Sequence, residues 1–182
     1  VATIGGNLVN AVPSADGAIP LIALDGKAHI YGTKGHRSVE LLRFFLGPGQ
    51  SDLTGGEILL EIIIPPLLPR TGGAYVKHGR REAMELPMLG VGVQLCLEED
   101  MKTCAKARIC LGVAAPTPLR CFQAENYLVG KTVTKKSLTE AGRLAAEESR
   151  VRDSIRGLAW YRREMVAVLV KRMGLKALER VK

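Results

Sequence analysis

The sequence predicts an α+β fold in which a mixed segment precedes a three-stranded antiparallel sheet and a helical bundle. Three observations carry this. Residues 57–64 form an aliphatic, isoleucine-rich run that Pro65-Pro66 stops. Residues 74–77, 87–97 and 105–113 then read as strands, and Glu98-Glu99-Asp100 turns between the last two in the manner of a meander. From Pro118 onward apolar residues recur at i, i+3 and i+4.

Taken in order, residues 1–4 read as the end of a strand entering Gly5-Gly6, and residues 7–11 as a turn of helix before Pro13. Ser14 or Asp16 is positioned to cap a second short helix through Ile19 and Leu24, which Gly26 ends. Residues 27–31 and 36–39 make a hairpin around 32–35, and the spacing of Leu41, Leu42, Phe45 and Leu46 predicts a helix over 39–46. Pro65, Pro66 and Pro69, followed by Gly72-Gly73, form the clearest linker, so the boundary falls between residues 1–66 and 72–175. In the second part, Pro118 fits the first turn of a helix ending at Gly130. A second helix spans 134–148. A third starts near Asp153-Ser154, with Ile155, Leu158, Ala159, Val166, Leu169, Val170 and Met173 as its stripe and Gly174 as its break.

With 47% hydrophobic and 24% charged residues, the 182-residue chain is of globular composition, which excludes disordered, collagenous and fibrous classes. No apolar run approaches the roughly 20 residues that cross a bilayer. Val1 opens the chain in what reads as mid-motif, so a processed or truncated piece of a longer protein is expected. Cys96, Cys104, Cys110 and Cys121 form no CxxC pair, which removes zinc and iron–sulfur spacings. Reduced, buried thiols in a cytoplasmic protein are the favoured reading, with a Cys96–Cys110 disulfide as the alternative. The net charge of +8 lies in residues 131–182, where 14 basic face 6 acidic side chains. Only 4% of residues are aromatic and Glu140, Glu147, Glu148, Asp153 and Glu164 interrupt the basic run, so a protein partner is favoured over nucleic acid.

Acid–base, nucleophilic and metal chemistry find no support: His29, His36 and His78 lack ligand spacing, and no Ser or Cys stands beside a base. The informative segment is Thr3-Ile4-Gly5-Gly6-Asn7, with Asp16 nine residues on. Adjacent glycines let backbone approach a flat ring or a pyrophosphate that Cβ atoms would exclude. Thr3 and Asn7 add short polar groups, and Asp16 can accept from a sugar hydroxyl.

This segment, continued through Pro13, Asp16 and Pro20, resembles the second flavin motif in the FAD-binding subunits of the molybdenum hydroxylases. These are the xanthine dehydrogenases, aerobic carbon monoxide dehydrogenases and nicotinate dehydrogenases. The resemblance runs in order through Gly35-His36-Arg37, Phe44-Phe45, residues 57–65, Tyr75, Lys77 and Arg80-Arg81. It extends to residues 111–118, Glu125, Leu128-Val129-Gly130, Asp153 and Tyr161-Arg162-Arg163, and so covers essentially the whole chain. The family's N-terminal glycine-rich lobe has no counterpart. The resemblance therefore implies the second lobe of a two-lobed FAD-binding domain over residues 1–66 and a flavoprotein C-terminal domain over 72–175.

It further implies that Thr3, Ile4, Gly5, Gly6, Asn7 and Asp16 contact FAD, and that Leu59 and Lys77 lie near the flavin. A plain core leucine and a solvated edge-strand lysine are the competing readings of the last two. Arg80 and Arg81 read as ion-pairing or interface residues. The implied function is electron transfer from iron–sulfur clusters to NAD or another acceptor, with molybdopterin and [2Fe-2S] clusters carried by partner subunits. Two other readings stay open: a reductase of similar flavin-binding fold of the kind that makes UDP-muramic acid, and a basic partner-binding module over residues 131–182.

Overall fold

The computed structural model describes residues 2–81 and 84–182. The chain folds as α+β, with two helices, α1 (Ile4–Val9) and α2 (Ala18–Ala23), ahead of a three-stranded antiparallel sheet. In that sheet β1 (Lys27–Gly32) lies between β2 (Gly35–Glu40) and β5 (Ile58–Ile63). Between them one helical turn, α3 (Leu41–Phe44), leads into a ribbon of β3 (Phe45–Gly47) and β4 (Gln50–Ser51). The larger sheet is a meander of β6 (Thr71–His78), β7 (Leu89–Leu97) and β8 (Cys104–Gly112), closed by two-residue β9 (Leu119–Arg120). Helices α4 (Phe122–Leu128), α5 (Lys135–Glu148) and α6 (Ala159–Leu178) cover it.

Several expectations are corrected. The helix expected over residues 7–11 instead spans 4–9, and residues 2–4 do not end a strand, because the Thr3 hydroxyl caps the Gly6 N–H at 3.0 Å; Val1 lies outside the described residues. Neither Ser14 nor Asp16 caps α2, whose N-cap is Gly17 without a side-chain bond. The 39–46 helix shrinks to one turn because Phe45 turns extended and pairs with Ser51, which leaves Leu46 exposed. The meander has a fourth strand, and Pro118 precedes that strand instead of opening a helix. The last helix begins at Ala159, not Asp153: Ser154 and Gly157 close a tight hairpin, and Asp153 Oδ1 accepts from the Ala159 N–H at 2.6 Å. Ile155 and Leu158 consequently stand in solvent, outside the apolar stripe. Gly174 does not break α6. It lets α6 pass close to α5, since a Cβ there would lie 2.6 Å from Leu138 Cδ2. The four cysteines are free and buried, and burial pushes the Cys104 thiol up to about 11 and those of Cys110 and Cys121 higher still.

Two hydrophobic cores result. One lies between the meander and α4–α6, and the other gathers Leu8, Ile19, Ile22, Ile30, Leu41 and Phe44. They meet where α2 lies on β7 and β8: a Cβ at Gly112 would come within 2.8 Å of Ile19 Cγ1, so glycine sets the closeness of that contact. Asp25 reinforces it with bonds to Lys106 Nζ and Arg108 Nε, both at 2.8 Å. Burial works against the Asp25 charge, but these two cations hold its pKa below the ordinary value. Beside them Arg120 and Glu125 form a buried ion pair.

At the far edge of the first sheet, Arg37 grips Asp52 Oδ2 (2.6 Å), the Asp52 carbonyl (2.5 Å) and both Glu57 oxygens (2.7 and 2.8 Å). Arg37, with the Thr54 N–H, lowers the Glu57 pKa from 4.5 to about 2. A depressed carboxylate stabilises the fold above its unfolded pKa and loses that contribution as pH falls through the folded value. The melting-temperature difference between the native chain and Glu57→Gln is therefore expected to be full at pH 7, to shrink below about pH 4.5 and to vanish near pH 2. Thermal melts across that range check it.

Candidate functional site

The site grows from the entry of α1. Ile4 and Gly5 open the helix, so their N–H groups have no acceptor within it. The Thr3 side chain serves Gly6, and the Thr3 carbonyl accepts from Asn7 N at 3.0 Å. Leu8, fully buried, anchors the helix, while Ile4 is 65% exposed. Ile4 and Gly5 thus present bare backbone donors in a first helical turn. Gly5 faces β5, with its Cβ position 3.8 Å from Leu59 Cδ2. Leu59 is half-buried and packs on the second core, so it belongs to the wall behind the helix.

Asn7 ties this turn to the next one: its Oδ1 accepts from Gly17 N at 2.9 Å. That leaves the Asn7 amide nitrogen to donate outward and brings Asp16 alongside. Asp16 Oδ2 in turn accepts from Lys77 Nζ at 2.7 Å, a bond between residues 61 apart in sequence. Lys77 lies on β6, two residues from Tyr75. Burial first, and then the Asp16 charge, pushes the Tyr75 hydroxyl up to about 12. Its neutral O–H remains a donor at every physiological pH.

Thr3, Ile4, Gly5, Gly6, Asn7, Asp16 and Lys77 therefore form one continuous patch, with Leu59 in the wall behind it. The oxygens of Thr3 and Asn7 already accept intramolecular bonds, so toward a ligand these side chains offer the Thr3 O–H and the Asn7 amide N–H. Asp16 keeps one oxygen for a hydroxyl, because Lys77 takes the other. The Asp16–Lys77 pair was not readable from spacing: only the pairing of α2 with the meander brings it together. Arg80 and Arg81 bond to Glu85, whose Oε2 accepts both backbone N–H groups at 2.8 and 2.7 Å.

Chemically, the patch combines first-turn N–H donors, a hydroxyl, an amide, an ammonium and one free carboxylate oxygen. Such a set suits a ligand with both anionic oxygens and hydroxyl groups. Among the described residues no cluster of three or more His, Cys, Asp or Glu could hold a metal ion, and no helix is long and apolar enough to cross a membrane.

The chain is similar to known proteins. Residues 1–67 match the family model for the FAD binding domain in molybdopterin dehydrogenase, and residues 74–177 match that for the CO dehydrogenase flavoprotein C-terminal domain. A putative xanthine dehydrogenase FAD-binding subunit of Escherichia coli K12 is 32% identical over 174 residues, which is 95% of this chain and 59% of that protein. Among solved structures, the carbon monoxide dehydrogenase of Hydrogenophaga pseudoflava that lacks the Mo-pyranopterin moiety superposes with a TM-score of 0.93 at 31% identity, covering 100% of this chain and 62% of that one. Quinoline 2-oxidoreductase of Pseudomonas putida 86 gives 0.88 at 27% identity, over 98% and 61%. The chain thus spans about six-tenths of the length of these relatives.

Proposed function

The chain belongs to the FAD-binding subunits of the molybdenum hydroxylases, the xanthine and carbon monoxide dehydrogenase family, and from that premise we propose that it forms one wall of a flavin site and passes electrons from iron–sulfur clusters to NAD or another acceptor. The observation that carries this reading is the continuous patch of Thr3–Asn7, Asp16 and Lys77. Its donors fit an FAD molecule: N–H groups at Ile4 and Gly5, with the Thr3 hydroxyl, suit the pyrophosphate. The Asn7 amide and the free Asp16 oxygen suit ribityl or ribose hydroxyls. Lys77, held by Asp16, orients the flavin, and Leu59 backs α1 against the core.

FAD when bound accepts and releases the electrons. The chain's own part is to fix the ring and to place one ammonium and one carboxylate near it, fixed charges that set how readily the ring takes up electrons. No group in the patch need move a proton on an organic substrate. The substrate reaction then belongs to a molybdenum-cofactor subunit, reached through an iron–sulfur subunit, in a cytoplasmic complex.

Native affinity purification through this chain, with metal analysis and flavin absorbance, tests the reading. Molybdenum, iron and FAD are expected in an assembly far larger than the 19.6 kDa chain. A metal-free monomer under mild conditions would contradict it.

A further inference from the structure

A cavity of about 640 Å³ lies between the 10–14 segment and the 150–157 loop, and Arg150, Arg152, Arg156 and Arg162 all line it. Arg162 is 3% exposed. Its Nη2 donates to Ser154 Oγ and its Nη1 to the Val113 carbonyl at a long 3.5 Å, while its Nε is buried with no partner. Among the described residues, none of the four guanidinium groups has a carboxylate within 4 Å. The neighbouring Asp153 gives one oxygen to the Ala159 N–H, and its charge acts on Arg162 only from beyond 4 Å and is outweighed by burial, Arg156 and Arg152. Elsewhere the chain does not leave such a group alone: Arg120, equally buried, is paired with Glu125.

We propose that this cavity is an oxyanion site that takes the phosphate of a nucleotide, distinct from the flavin patch. A buried guanidinium without a counter-charge is unfavourable, and three more at the same cavity add repulsion. Burial, Arg156 and Arg152 indeed lower the Arg162 pKa. A phosphate supplies the absent negative charge and several acceptor oxygens to planar guanidinium forks, a better match than a single carboxylate. Val12, Pro13, Pro48 and Leu86 line the same cavity and give a base apolar surface to lie on. Its volume falls within the roughly 300–1,000 Å³ of small-molecule sites. The proposal does not rest on the flavin reading.

Equilibrium dialysis of the chain at fixed ionic strength against AMP, inorganic phosphate, adenosine and a Glu-rich peptide tests it. One equivalent of AMP is expected to bind, phosphate to compete, and adenosine to bind at least tenfold more weakly. The double variant Arg152→Ala/Arg156→Ala, on the loop and outside the core, is expected to weaken AMP by about a hundredfold, one tenfold step per arginine. Gly6→Val, in the flavin patch, should leave AMP binding intact. Arg162→Gln should also weaken AMP. If that variant fails to fold, the loop variant decides alone. Equal binding of AMP and adenosine, no AMP binding at millimolar concentration, tighter binding of the peptide, an unchanged double variant, or loss in Gly6→Val would each overturn the proposal. The last result would place the phosphate at α1 instead.

Discussion

Glu125→Ala is expected to destabilise the chain by about 3–5 kcal/mol, a large share of the stability of a domain this size. Glu125 sits in α4, 4% exposed, and its two oxygens hold Arg120 Nε and Nη2, both at 2.5 Å. Oε1 also accepts from Ile109 N at 2.8 Å. That backbone donor lies just beyond the end of β9, which pairs only with Cys110 and Leu111 of β8, so the carboxylate takes the place of a strand partner. Truncation leaves the buried Arg120 guanidinium with only a long 3.5 Å contact to Asp25 Oδ1 and strands a buried N–H at once. Glu125→Gln, which keeps an acceptor and loses the charge, should fall between. Replacing both partners together, as Arg120→Met/Glu125→Leu, should recover much of the loss, because no uncompensated charge remains. Urea unfolding of the three variants measures the series, and a loss under about 1 kcal/mol for Glu125→Ala would show the pair to be dispensable.

Gly6→Val is expected to abolish FAD binding while leaving the meander and α4–α6 folded. Gly6 is exposed in the first turn of α1, and a Cβ there would lie 3.0 Å from Thr3 Oγ1. The branched side chain crowds the hydroxyl that caps the helix and covers the backbone on which the flavin reading depends. The backbone at Gly6 is helical, so the effect comes from blocked approach and a disturbed cap and not from φ. Loss of even two charge-assisted bonds of about 1.5–3 kcal/mol each weakens affinity by a factor on the order of a hundred or more. Flavin fluorescence titration reads the loss, and circular dichroism checks that the rest of the chain is intact. Unchanged affinity would reduce Gly5-Gly6 to a plain helix entry.

What the sequence disclosed follows the range of the forces involved. The meander and α5 were legible because their patterns are local: alternating or continuous apolar runs, and Thr134 capping Ser137 in a capping box. The start of α1 was not, because two glycines disfavour helix and only the Thr3 cap and the buried Leu8 hold them there. Ile155 and Leu158 carry the right spacing for α6, but the Ser154–Gly157 hairpin and the Asp153 cap decide where the helix begins. Gly174 looked like a stop because its reason lies in another helix, at Leu138. The candidate site divides the same way. Thr3–Asn7 and Asp16 stood out as a motif, whereas the Asn7–Gly17 bond exists only once α1 meets the entry of α2, and the Asp16–Lys77 pair only once α2 lies on the meander.

The central claim is that Thr3–Asn7, Asp16 and Lys77 together face FAD. Amide NMR of the isotope-labelled chain titrated with FAD tests it most directly, since it maps even weak binding residue by residue. The account predicts saturable shifts at Gly5, Gly6, Asn7 and Gly17 and around Tyr75–Lys77, and none along α5. Shifts confined to other surfaces, or no shifts at millimolar FAD, would contradict it.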